Sequence, residues 1–102
     1  MTNVSTLHTI KMSIKIRLHP YLKKFTHGHE VVETTGQTIG ECINDLEIQF
    51  PELKQQLHDK QGELLSYYAI YISSSDGFYP EEVSTPVSDG DELVILTVPT
   101  GG

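Results

Sequence analysis

Ile14, Ile16 and Leu18 alternate with Lys15 and Arg17. A period of two predicts a half-buried strand from Ser13. His19-Pro20 ends it, because proline cannot continue a ladder. Leu22 and Phe25 are apolar anchors in the loop that follows, and His27-Gly28-His29 turns the chain. Glu30 to Thr34, with Val31 and Val32, predicts a second strand and an antiparallel hairpin. The period then changes. Ile39, Cys42, Ile43, Leu46 and Phe50 recur at helical spacing and form one apolar stripe. Thr38 with Glu41 three residues on is a capping box. Glu41, Asp45 and Glu47 fall off the stripe and are expected in solvent. Pro51 ends this helix near Phe50. Leu53 and Leu57, four apart, predict a separate short helix from Pro51 to about Asp59, stopped by Gly62.

Tyr67 to Ser73 is aromatic and β-branched and predicts a third strand. Asp76-Gly77 is a turn. Glu82 to Val87 predicts a short, proline-interrupted edge strand. Asp89-Gly90-Asp91 is a further turn, and Glu92 to Val98 is the most apolar strand of the chain. Residues 1–12 are mixed and polar and are expected to form a flexible extension. The domain is expected over residues 13–98, with a mobile tail over 99–102. Strand, strand, helix, strand, short strand, strand is an α+β order. With the first and last strands parallel at the centre of a mixed sheet of four to five strands, it predicts a β-grasp, or ubiquitin-like, roll. One main helix would cover one face, beside a short second helix.

Composition restricts the chemistry. The 102 residues make one domain. Fourteen acids against seven Lys+Arg, a charge of −7, disfavour a nucleic-acid partner. No stretch approaches the ~20 apolar residues of a membrane span, and no export signal opens the chain. The single Cys42 permits neither an internal disulfide nor a cysteine-based metal or iron–sulfur site, and a reducing cytoplasm is the expected compartment. A chain this short has little room for both a core and a deep catalytic pocket. Composition thus leans towards a carrier or binding module over an enzyme.

The C-terminus carries the clearest chemical signal. Two terminal glycines arise by chance at only roughly 0.5%, but flexible ends without a role are common, so alone they weigh little. Here only Pro99 and Thr100 separate them from a strongly apolar strand. Glycine has no Cβ, so such a tail threads a narrow channel and offers its carboxylate to another protein's active site.

The run Asp89-Gly90-Asp91-Glu92-Leu93-Val94-Ile95-Leu96, closing on Gly101-Gly102, resembles the ubiquitin-like sulfur carriers of the MoaD/ThiS family. The likeness extends through Thr38-Ile39-Gly40, Asp45-Leu46-Glu47 and Ile70-Tyr71-Ile72. Within the family the chain is most similar to the CysO-type carriers, which have a similar segment between helix and third strand. The CysO type usually has Asn where Ala69 and Ser73 stand. Its tail is usually Ala-Val-Ala-Gly-Gly, where this chain has Thr97-Val98-Pro99-Thr100 before the glycines.

The resemblance implies a mechanism. A terminal carboxylate, with a pKa of ~3.5, is ionised at neutral pH and is a poor electrophile. An E1-like adenylyltransferase would use ATP to make an acyl-adenylate on Gly102. A sulfur donor would displace AMP and leave a thiocarboxylate. The acceptor would be a cysteine synthase-like enzyme, a molybdopterin synthase large subunit or a thiazole synthase, with cysteine favoured. In the cysteine route a zinc peptidase would free the product. The chain would be a cosubstrate with no bound cofactor and no catalytic machinery of its own, and with Gly102 terminal no trimming is expected. Two rivals stay open: a protein modifier joined through Gly102 to lysines, and a ubiquitin-like module that only binds.

The remaining chemistry weighs less. Cys42 lies on the apolar stripe and reads as a buried structural thiol, not a sulfur relay. His27 and His29 with His19 lack a firm further ligand, and no metal site is expected. Lys15, Arg17, Lys23 and Lys24 form a small basic patch, either a solvated face or a contact for the activating enzyme. Tyr67, Tyr68, Tyr71 and Tyr79 divide between core and surface. With Leu93 and Ile95 inward, Val94, Leu96 and Val98 point outward. Tyr71 joins them in an expected partner-binding surface.

Overall fold

The computed structural model describes residues 13–63, 68–73 and 82–97. The expected extension over 1–12, the tail residues Pro99 to Gly102, Val98, Tyr67, Tyr79 and the Asp76-Gly77 turn lie outside the described residues. Four strands form one mixed sheet: β1 (Ile14–Leu18), β2 (Val31–Thr34), β3 (Tyr68–Ile72) and β4 (Glu92–Thr97). Their order is β2-β1-β4-β3. β1 runs antiparallel to β2 and parallel to β4, and β3 runs antiparallel to β4. The helices are α1 (Ile39–Gln49) and α2 (Pro51–Leu57), with a 3₁₀ helix over Pro20–Phe25. This is the β-grasp roll that the element order predicts.

Alternation decides which side of the sheet is covered. Ile14, Ile16 and Leu18 are buried on β1, with Ile70 on β3 and Leu93 and Ile95 on β4. They meet Ile39, Cys42, Ile43 and Leu46 of α1 in one core, with Leu22, Leu53 and Leu57 beside them. Each large side chain so buried contributes ~1.5–3 kcal/mol. Phe50 packs on the rim of this core, and Glu41 stays exposed as the stripe requires.

The capping box forms with a shifted return. Thr38 Oγ1 accepts from Glu41 N–H at 3.2 Å, and Glu41 Oε1 accepts from Gln37 N–H at 2.8 Å. The expected strand over Glu82 to Val87 does not form. Thr85 N–H donates to Glu82 O and closes a turn, and only Thr38 and Pro86 make a bridge. Pro86 has no N–H to extend a ladder. The segment instead satisfies the start of α1: Ile39 N–H donates to Thr85 O at 3.0 Å and Gly40 N–H to Val83 O at 2.8 Å. Those donors have no partner inside their own helix. A Cβ at Gly40 would stand 3.1 Å from Val83 O, so glycine permits this approach.

Two expectations placed in loops are also revised. Leu22 and Phe25 sit on the 3₁₀ helix, which Pro20 starts and whose first turn His19 caps through Nδ1, accepting from Tyr21 N–H at 3.0 Å. Helix α2 ends at Leu57, and Gly62, at φ 86°, serves the following turn.

Candidate functional site

The tail-bearing strand is fixed at both ends. At its start Gly90 takes φ 90°, and its N–H donates to Ser13 O at 2.9 Å. Asp89 Oδ1 accepts from Ser13 N–H at 2.7 Å, and Asp91 O from Lys15 N–H at 3.1 Å. The Asp-Gly-Asp turn thus ties the start of β4 to the start of β1. At the other end His19 N–H donates to Ile95 O at 3.0 Å. Because β1 and β4 are parallel, both leave the sheet at the same end. The C-terminal end of β4 therefore lies on the side of the sheet where β1 leads into His19 and the 3₁₀ helix.

The outer sheet face brings together part of the expected surface. Tyr71 lies opposite Val94, and Ala69 opposite Leu96. Tyr71 and Val94 are half-buried, whereas Leu96 is 40% exposed. Arg17 also lies opposite Val94, on β1. Its Nε donates to Glu92 at 2.9 Å and its Nη1 to Glu30 at 3.0 Å. The hydrogen bond to Glu92, and then the charges beside it, raise the Arg17 pKa above its ordinary value. Val98, Pro99, Thr100, Gly101 and Gly102, the rest of the expected site, lie outside the described residues.

The basic patch expected from sequence is divided by these contacts. Arg17 is spent on two carboxylates. Lys23 Nζ reaches Glu30 only at 4.0 Å. Lys24 Nζ stands over the Tyr21 ring, 4.3 Å from its centroid. The three histidines do not converge: His19 caps the 3₁₀ helix, while His27 and His29 pack against the Phe50 ring at 5.5 and 6.2 Å. Among the described residues no cluster of three or more His, Cys, Asp or Glu could hold a metal ion. Cys42 is fully buried; burial pushes its thiol pKa up, against a smaller opposing effect of a hydrogen bond with Thr34. That is the environment of an inert structural thiol.

Sequence reasoning missed a cleft on the helical side, of about 360 Å³, lined by Gly40, Ile43, Asn44, Glu47, Lys54, His58, Gly62, Glu63 and Val83. Glu47, expected in solvent, is only 8% exposed here. It is hydrogen-bonded to His58 Nε2, while His58 Nδ1 bonds Gly62 O at 3.0 Å. A carbonyl only accepts, so Nδ1 carries the hydrogen. The proton in the other bond belongs to Nε2 or to Glu47, and with either placement the pair has no net charge. That neutrality lets a carboxyl group sit on the flank of the core. No periodicity in α1 announces it, because the partner comes from beyond α2, eleven residues on. Both ring nitrogens of His58 are occupied, so the pair is a structural clasp.

Comparison with known proteins agrees with this fold. The sequence model described as "ThiS family" matches residues 16–102. The chain is similar to Sulfur carrier protein CysO of Mycobacterium tuberculosis, 29% identical over 93 residues, which cover 89% of this chain and all of that protein. Among solved structures it is similar to the BexX/CysO complex of Amycolatopsis orientalis, at 28% identity and a TM-score of 0.71, covering 87% of this chain and 99% of that one. Small archaeal modifier protein 1 of Haloferax volcanii shares the fold alone, at 18% identity and a TM-score of 0.75, over 86% of this chain and 99% of that one.

Proposed function

Because the chain belongs to the ThiS family, we propose that it is a sulfur carrier that works through the carboxylate of Gly102. The observation that carries this reading is the family match itself, which runs to the final Gly101-Gly102. The chain acts as a cosubstrate. An E1-like adenylyltransferase joins the Gly102 carboxylate to AMP from ATP and releases pyrophosphate. A sulfur donor attacks the acyl carbon, the acyl–phosphate bond breaks, AMP leaves, and a thiocarboxylate remains. A sulfur-accepting synthase then takes the sulfur. The similarity to CysO carriers favours the cysteine route over molybdopterin and thiazole, with a zinc peptidase releasing product. A cytoplasmic setting suits the chemistry, since it keeps sulfur nucleophiles reduced.

The scaffold supports the reading through reach. β4 is held by β1 on one side and β3 on the other. Pro99 narrows the directions in which the tail leaves. Thr100, Gly101 and Gly102 extend at most ~3.6 Å each, roughly 10 Å in all. A partner must therefore dock closely, and Tyr71, Val94, Leu96 and Val98 supply the apolar surface for it. Leu96→Asp should weaken that docking and leave the fold intact; unchanged affinity for both partner enzymes would remove this surface from the proposal.

The decisive experiment is intact-mass analysis after reaction with an E1-like enzyme, ATP and sulfide. Loading should appear as one oxygen-to-sulfur exchange mapped to Gly102. Deleting Gly102 should abolish loading without shifting thermal unfolding. A Gly102-deleted chain that loads normally overturns the carrier reading, and isopeptide-linked adducts without a thiocarboxylate would replace it with a protein modifier.

A further inference from the structure

Charge is distributed unevenly along this chain. All fourteen acids lie from Glu30 to Glu92, and five of the seven Lys+Arg lie from Lys11 to Lys24. Folding cancels part of that asymmetry, because β2 and β4 bring Glu30 and Glu92 to Arg17. It does not cancel the segment from His19 to His29, which contains Lys23, Lys24 and three histidines and no acid. Glu30, the next residue, already faces Arg17 and Lys23. Helix α2 packs against the 3₁₀ helix, yet Glu52 of α2 makes no ion pair with either lysine.

The segment is also built rigidly. Thr26 is fully buried, and its hydroxyl donates to His29 O at 2.6 Å. His27 and Gly28, at φ 54° and 88°, then turn the chain into β2. Lys24 is held by rings and not by a carboxylate: its ammonium lies 4.3 Å from the Tyr21 centroid and 5.6 Å from that of Phe25. Tyr21 is 50% exposed. An exposed tyrosine beside a positioned cation is a common composition for an interface anchor. The lobe stands at the end of the sheet where β4 leaves, through the bond from His19 N–H to Ile95 O.

We infer that the lobe from Tyr21 to His29 docks on a carboxylate-rich surface of the activating enzyme, beside the channel that receives the tail. The inference rests on the carrier reading, since it needs an enzyme that takes Gly102. The rest of this acidic chain repels such a surface. The lobe therefore sets the orientation in which the tail is presented, and steers approach, while the apolar outer face supplies contact area.

The test measures adenylation kinetics with an E1-like adenylyltransferase that loads the unaltered chain, across a range of salt. Lys23→Glu with Lys24→Glu should raise the KM for the carrier roughly tenfold, leave kcat unchanged and flatten the salt dependence. The neutral pair Lys23→Gln with Lys24→Gln should give a smaller rise in the same direction, and guards against a reversed pair that misfolds. Lys60→Glu, the same reversal outside the lobe, should change KM less than about twofold. Unmoved KM and salt dependence in the lysine pairs would overturn the inference while the carrier reading stood. So would a fall in kcat with KM unmoved, or an equal effect from Lys60→Glu. Absence of loading in the unaltered chain with every such enzyme would instead overturn the carrier reading, and this inference with it.

Discussion

Two kinds of carboxylate contact, one with imidazole and one with guanidinium, work in opposite ways in this molecule. On the helical side, Glu47 and His58 are withdrawn from water, and each satisfies the other. On the outer face, Arg17 spans Glu30 and Glu92 in solvent. Removing one member of a buried pair strands the other without water, whereas an exposed member simply rehydrates. The clasp therefore belongs to the fold. The exposed network can give up its contacts to water. The difference between them is desolvation, not distance or charge.

The largest effect should come from breaking the clasp. His58→Ala leaves the Glu47 carboxyl buried without its partner and should cost about 1–3 kcal/mol of stability, read by urea unfolding. Glu47→Gln keeps an oxygen or amide near His58 and should cost less. If both substitutions left the unfolding midpoint in place, the pair would be a surface contact like that of Arg17.

A smaller effect is expected from Cys42, and its sign follows from burial. The folded thiol has a raised pKa, so the neutral form is favoured in the core. Its contribution is complete below an unfolded value of about 8.5 and is lost as the pH rises through the folded pKa. Cys42→Ala should flatten the decline of stability on the alkaline side, and the native thiol should resist alkylation until the chain unfolds. Rapid alkylation of the folded protein would contradict the buried assignment.

The smallest effect belongs to Arg17. Arg17→Ala should leave the unfolding midpoint unmoved, and added salt should not change that result. A loss comparable with that of His58→Ala would erase the contrast between the two contacts.

Much of the fold was legible because its signals are local. The alternation of Ile14, Ile16 and Leu18 and the stripe from Ile39 to Leu46 each declare which face is apolar, and burial follows that face directly. Thr38 and Glu41 announce the start of α1 for the same reason: a cap needs only its own first turn. Gly90 was legible as a turn because its positive φ is unfavourable for residues with a Cβ.

What tertiary structure decided is what depends on a partner distant in sequence. Val83 and Thr85 read as strand by composition, but their carbonyls were claimed by the unsatisfied donors of α1. Glu47 read as solvated, and His58, arriving from beyond α2, covers it on the flank of the core. The four cations read as one patch, until strand pairing brought acids to Arg17. The placement of that lobe beside the C-terminal end of β4 follows from the parallel pairing of β1 with β4. A sequence records which residues seek burial or a counter-charge. Only the closed chain decides which of many possible partners arrives.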